Sequence, residues 1–263
     1  MVTIIIFILG LCVGSFLNVV IYREVKGKSW LWGRSFCDKC KKQIAWYDNI
    51  PLLSYILLSG KCRYCKTKIS PQYPFVELLA GFQFVWIYFL IKSNVDFFAR
   101  FEGFYSMISL LLWLVLGACF LTIFVADLKY QIIPDTAIIF GIVTAILKVI
   151  VDYRYTGMAD FSVFISSFIA GLFFLSLIYI TKGKGMGFGD VKLVILMGLI
   201  LGFPRVIIAL FIAFLTGAII GVILILIGNK KLKSRIAFGP FLILGTVLAL
   251  GFGEQIWTFF LGY

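Results

Sequence analysis

The chain contains no histidine. That absence removes Ser-His and Cys-His nucleophile pairs, HExxH metalloprotease sites and any catalytic zinc held by imidazole. Acidic residues are scarce as well: twelve in 263 positions, against twenty-four Lys and Arg. Chemistry is left to carboxylates, thiols, hydroxyls and lysine, and each carboxylate can be weighed singly. Long polar stretches are almost missing. The composition is 62% hydrophobic, above the roughly 45–50% of a soluble domain. The expected fold class is therefore an all-α polytopic membrane protein. The formal charge of +12 reads as Lys and Arg gathered on the cytoplasmic side, not as a nucleic-acid footprint, and no nucleic-acid partner is expected.

The first apolar run, Val2 to Tyr22, has no basic residue before it and Arg23, Lys26 and Lys28 after it. A cleavable signal peptide has the opposite layout, so this run is expected to be a signal anchor with its N-terminus outside. Residues 23–74 form the one long polar segment. Further apolar runs at about 75–91, 104–126, 136–151, 161–181, 191–203, 205–227 and 237–260 are each near, or somewhat short of, the length a spanning helix needs, and Gly202 and Pro204 mark a tight turn after the shortest. Eight transmembrane helices are predicted. Charge then sets the orientation: nineteen Lys and Arg fall in the segments on the side of Arg23 and five on the other. The expected domains are a first helix (1–22), a cytoplasmic zinc-binding loop (23–74) and a transmembrane bundle (75–263). There is no internal repeat and no low-complexity tract.

The polar segment carries Cys37-Asp-Lys-Cys40 and Cys62-Arg-Tyr-Cys65. The two CxxC pairs are separated by twenty-one residues, slightly longer than the roughly 15–20 usual for a four-cysteine zinc site. Each pair sets two thiolates on one side of a tight turn, and four thiolates close a tetrahedral site whose role is structural. Disulfides are the competing reading, and a reducing cytoplasm argues against them. Cys12 and Cys119 lie in apolar runs and are expected as small core residues.

Most acidic residues, Asp38, Asp48, Asp96, Glu102, Asp152, Asp160 and Glu254, lie in loops or at helix ends, where a solvated face accounts for them. Glu24 can pair locally with Arg23. Glu77, near a helix start, can complement the helix dipole or make a polar contact in the bundle. Asp135 is expected to N-cap TAIIFGIV. Asp190 ends KGKGMGFGD and could likewise cap the helix after it, whereas Asp127 ends a helix, where capping has no place for it. Acidic residues at the edge of membrane helices are functional candidates. Paired, they can hydrolyse an amide without histidine or metal: one ionised carboxylate takes a proton from water while a protonated one polarises the carbonyl. From the two helix ends alone, Asp190 is expected as base and Asp127 as acid. Gly185, Gly187 and Gly189 would let an extended substrate come close. The GxGxG pattern at Gly183–Gly187 lacks the preceding strand of a nucleotide loop. Two other classes compete: a transporter moving protons or ions through the two aspartates, and a non-catalytic zinc-binding scaffold.

Several motifs in order carry a resemblance. The run Gly14 to Arg23 (GSFLNVVIYR), the four-cysteine loop with Ile69 to Leu79 (ISPQYPFVELL), Asp127 with Ile133-Pro-Asp135, Gly187-Phe-Gly-Asp190-Val-Lys, and Phe238-Gly-Pro-Phe241 together resemble the bacterial type IV prepilin peptidases of the GxGD aspartyl proteases. The resemblance implies cleavage of the basic leader of prepilins or pseudopilins at the cytoplasmic face of the bacterial inner membrane. It also implies methylation of the new N-terminus with S-adenosylmethionine. Asp127 and Asp190 would be catalytic, and Cys37, Cys40, Cys62 and Cys65 would hold structural zinc. The S-adenosylmethionine site and the oligomeric state have no signature in these residues.

Overall fold

The computed structural model describes residues 1–29, 32–93, 104–157, 160–183, 185–227 and 237–261. Asp96 and Glu102, and the basic residues Arg100, Lys184, Lys230, Lys231, Lys233 and Arg235 of the charge count, lie outside them. The described residues form α1 (Val2–Val25), α2 (Leu53–Leu57), α3 (Gln72–Ser93), α4 (Phe104–Tyr130), α5 (Asp135–Thr156), α6 (Ser162–Thr181), α7 (Phe188–Leu201), α8 (Arg205–Leu226) and α9 (Gly239–Leu261). Among them there is no β-strand, only two isolated bridges in the cysteine loop. Helices satisfy every backbone group within one segment, which hydrocarbon demands. The chain is a multi-pass membrane protein. Seven helices, all but α2 and α7, are long and apolar enough to cross a bilayer. The short run expected after Asp190 is α7, whose fourteen residues span about 21 Å, less than the ~30 Å hydrocarbon core.

The chain divides into two compact units, Met1–Thr122 and Ile123–Tyr263. In the first, α1 packs along α3 through small residues. A Cβ added at Gly10 would lie 2.6 Å from the Ala80 carbonyl oxygen, and one at Gly14 would lie 2.8 Å from the Ala80 Cβ. Glycines four apart let two membrane helices approach to backbone contact, which is how helices associate where lipid is as apolar as leucine. Ile6, Phe84, Ile87, Ile91 and Leu114 fill the core beside this contact. The loop leaving α1 is held by Arg23, buried, whose guanidinium donates to the carbonyls of Trp32 and Gly33, each at 2.7 Å. Asn18, also buried, donates to the Tyr73 carbonyl at the start of α3.

In the second unit, α7 is the central element. It packs on α5, α6 and α9, and Leu193, Val194, Leu196 and Met197 are wholly buried. A helix too short to span the bilayer is thus enclosed by protein. Gly198 rides on the backbone at Ser167, where a Cβ would approach to 2.4 Å. The Ser167 hydroxyl donates to the Ile195 carbonyl at 2.8 Å, a contact worth about 0.6 kcal/mol in membrane helices. α8 and α9 pack by the same device, Gly245 against the Ala209 carbonyl.

Candidate active site

Asp127 lies one turn before the end of α4, and its carbonyl accepts from the Gln131 amide at 2.9 Å as the helix closes. Its side chain is buried. The carboxylate Oδ2 accepts the Gly239 N–H at 2.9 Å. Gly239 is the first residue of α9, so one of that helix's unpaired N-terminal amides is satisfied by a side chain from another span. A Cβ on Gly239 would stand 2.6 Å from the same Oδ2. Only glycine lets the two groups meet.

Asp190 is the third residue of α7, with Gly187 at the N-cap. It is therefore not the N-cap residue itself. Its Oδ2 accepts the Gly187 N–H at 3.0 Å while its own N–H donates to the Gly187 carbonyl at 3.1 Å. Capping accounts for Oδ2. The Oδ1 atoms of Asp127 and Asp190 have no protein hydrogen-bond partner among the described residues. Both side chains are buried.

Two contacts hold the segments around them together. A Cβ on Gly189 would approach the Ile133 side chain to 3.0 Å, so the glycine-rich turn lies directly on the α4–α5 connection. Lys192 pairs with Asp135 at 2.6 Å. Asp135 does not take the capping role expected of it: Pro134 occupies the N-cap of α5, which has no side-chain cap bond, and the Asp135 carboxylate reaches across to α7 instead. The base and acid assignment drawn from helix ends also loses its footing. It set Asp127 at a helix C-terminus alone, whereas Asp127 also faces the N-terminus of α9, so the dipoles on its two sides oppose each other. Gly239 and Lys192 are the residues missed as contributors. Both stand in quoted motifs, but no local spacing says what an amide or an ammonium will meet across the bundle.

The four cysteines come together as their spacing predicts. The sulfurs of Cys37, Cys40, Cys62 and Cys65 all lie within 4.8 Å of one another, and none is in a disulfide. The two knuckles repeat one geometry. The Lys41 amide donates to Cys37 O and the Lys66 amide to Cys62 O, at 2.9 and 3.0 Å. Lys41 and Lys66 both take left-handed backbone, at φ 59° and 56°. A tetrahedral ion bound at about 2.3 Å spaces its sulfurs about 3.8 Å apart, and Cys37 and Cys65 stand at 3.7 Å. The cluster can hold a metal ion. The Thr67 hydroxyl lies 3.2 Å from the Cys65 sulfur, a partner for the thiolate that a metal requires. Arg63, between Cys62 and Tyr64, makes two hydrogen bonds to Asp48 and holds its carboxyl below the usual range. Glu77 makes a polar contact: it is buried, and its Oε2 accepts the Leu52 amide at 2.8 Å.

Residues 8–91 match the family model of the bacterial peptidase A24 N-terminal domain, and residues 114–222 match that of the type IV leader peptidase family. The chain is similar to a prepilin leader peptidase/N-methyltransferase of Legionella pneumophila, 29% identical over 97% of this chain and 92% of the relative. Proteins of the same name from Aeromonas salmonicida (30% identical, 97% and 92%) and Bacillus subtilis (28% identical, 98% and 97%) match over the same extent. No solved structure matches the chain.

Proposed function

The chain belongs to the type IV leader peptidase family, and on that footing we propose that it is a membrane aspartyl endopeptidase whose catalytic pair is Asp127 and Asp190. Its substrates are prepilins or pseudopilins, cut between a basic leader and the hydrophobic helix that follows. The observation that supports this reading is a buried carboxylate in each of two distant motifs, each accepting a backbone amide through Oδ2, on segments held together by the Gly189–Ile133 approach and the Lys192–Asp135 pair.

A water molecule between the carboxylates gives a proton to the ionised one and adds its oxygen to the scissile carbonyl. The protonated partner gives its proton to the carbonyl oxygen. Collapse of the tetrahedral intermediate breaks the C–N bond: the leaving nitrogen takes the proton first drawn from water, and a hydroxyl of the intermediate returns a proton to the carboxylate that had protonated the carbonyl oxygen. Two close carboxylates share a single proton because both cannot ionise cheaply away from bulk water. The pair titrates jointly, so a two-group pH–rate profile belongs to the dyad and not to either residue.

Cys37, Cys40, Cys62 and Cys65 hold zinc, which closes the loop and has no open position for chemistry. Nineteen basic residues on one side support a cytoplasmic site in the bacterial inner membrane with the N-terminus outside. The new N-terminal amine is then methylated from S-adenosylmethionine, in keeping with the names of the relatives.

The test is a reconstituted cleavage reaction with a candidate prepilin and S-adenosylmethionine, read by intact mass, which reports the cut and the methyl group together. Asp127→Asn and Asp190→Asn should each abolish the cut with folding unchanged. Cleavage retained in both variants would overturn the dyad.

A further inference from the structure

The cysteine loop carries a surface whose polarity is the reverse of what water would select. In α2 the buried side chain is polar: Ser54 is 8% exposed and its hydroxyl donates to the Tyr47 carbonyl at 2.9 Å. The exposed side chains of the same helix are apolar, with Leu53, Ile56 and Leu57 at 50%, 70% and 73%. Trp46 and Ile50, just before it, are exposed too. A helix that turns its hydroxyl inward and its leucines outward lacks the hydrophobic-in arrangement of a water-facing element.

Its height along the molecule supplies the occupant. The Leu52 amide, at the start of α2, is held at 2.8 Å by Glu77. Glu77 is the sixth residue of the membrane helix α3, which puts it about 7.5 Å along that helix from its first residue. The bond ties α2 to the level where α3 enters the bilayer. The neighbouring side chains Phe75 and Leu78 of α3 are likewise exposed. Around α2 the segment 23–74 has eleven Lys and Arg against three acidic residues, the complement of an anionic headgroup layer.

We propose that α2 and its flanking Trp46 and Ile50 are a membrane-interface element: they insert their apolar side chains into the headgroup–acyl boundary while the cysteine knuckles stay in the aqueous phase. Interfacial helices bury an apolar face about 5–10 Å into that boundary, and tryptophan is enriched there. The proposal goes beyond the proteolytic reading and does not depend on the aspartates. It gives the four-thiolate loop a fixed seat on the bilayer instead of a free position above it.

The unsubstituted full-length chain, metal bound, can be placed in nanodiscs of phosphatidylethanolamine and phosphatidylglycerol doped with a lipid carrying a diazirine near its ester carbonyl. After photolysis, peptide mapping locates the lipid adducts. Labelling of residues 53–57 should be within a fewfold of that at the exposed Phe82 stretch of the membrane helix α3 and about tenfold above that of residues 61–68. Ile56→Glu with Leu57→Glu should lower it toward the level of 61–68 while the metal content stays constant. Labelling of 53–57 no higher than 61–68 would overturn the proposal. So would labelling that appears only when copies of the chain are diluted apart, or only before a prepilin is added, since a protein would then cover this face.

Discussion

The cysteine loop and the aspartate site hold reactive groups by opposite means. In the loop, four sulfurs meet because two short knuckles repeat the same local hydrogen bonds around Cys37 and Cys62. At the aspartates, the decisive bonds are long-range: Asp127 leans on an amide 112 residues away, and Asp135 on an ammonium 57 residues away. The loop can be assembled by a segment and an ion. The aspartate site exists only once α4, α7 and α9 are packed. A local geometry of this kind tolerates changes elsewhere in the chain, whereas the long-range one is vulnerable to any shift between helices.

That contrast can be broken or sharpened by experiment. The largest effect should come from Cys37→Ser with Cys62→Ser: metal analysis of the purified protein should fall to background, with loss of a binding energy of order 10 kcal/mol, and proteolysis should open the loop. Metal-free wild-type protein would remove the four-thiolate site altogether. Next, Asp127→Asn or Asp190→Asn should slow prepilin cleavage by at least about 100-fold and leave the metal content unaltered, because the two regions are held separately. Gly239→Ala comes third. Its added methyl falls on the Asp127 carboxylate, and displacing that group should lower kcat by about 10- to 100-fold with little change in KM. An alanine variant as active as wild type would show that the amide contact is dispensable.

Smaller changes follow. Lys192→Met removes a partly exposed ion pair with Asp135 and should cost at most about 1 kcal/mol in thermal stability, with a modest loss of cleavage rate. Smallest of all, Asp48→Asn should weaken the loop in a pH-dependent way. Arg63 holds the folded Asp48 carboxyl below its unfolded value, so the pair stabilises the loop above about pH 4 and that contribution fades as pH falls through and below this point. Protease resistance of wild type and variant should differ near neutral pH and converge in acid.

The same contrast explains what could be read in advance. The apolar runs marked the membrane helices, because hydrocarbon leaves a chain few alternatives and a run of apolar residues is its direct record. Cys37, Cys40, Cys62 and Cys65 were legible from spacing for the same local reason. Asp127 and Asp190 stood out as carboxylates at the rims of membrane helices, but their supports did not. The Gly239 amide belongs to every residue type and leaves no compositional trace. Asp135 looked like a cap because a carboxylate before an apolar run often is one, and only the packing of α7 against α5 redirected it to Lys192. Glu77 had two readings in sequence, helix dipole or polar contact, and naming its donor required knowing that Leu52 returns beside α3.

That return has a consequence for biogenesis. Leu52 is synthesised well before Glu77, yet its backbone is held in a positive-φ conformation beside the Glu77 carboxylate. Asn18 waits similarly for Tyr73. The cysteine knuckles can close by themselves, but the Leu52–Glu77 bond forms only after α3 has been made and has come alongside α1. The polar segment is thus fastened at Leu52 by a residue of the second membrane span, α3.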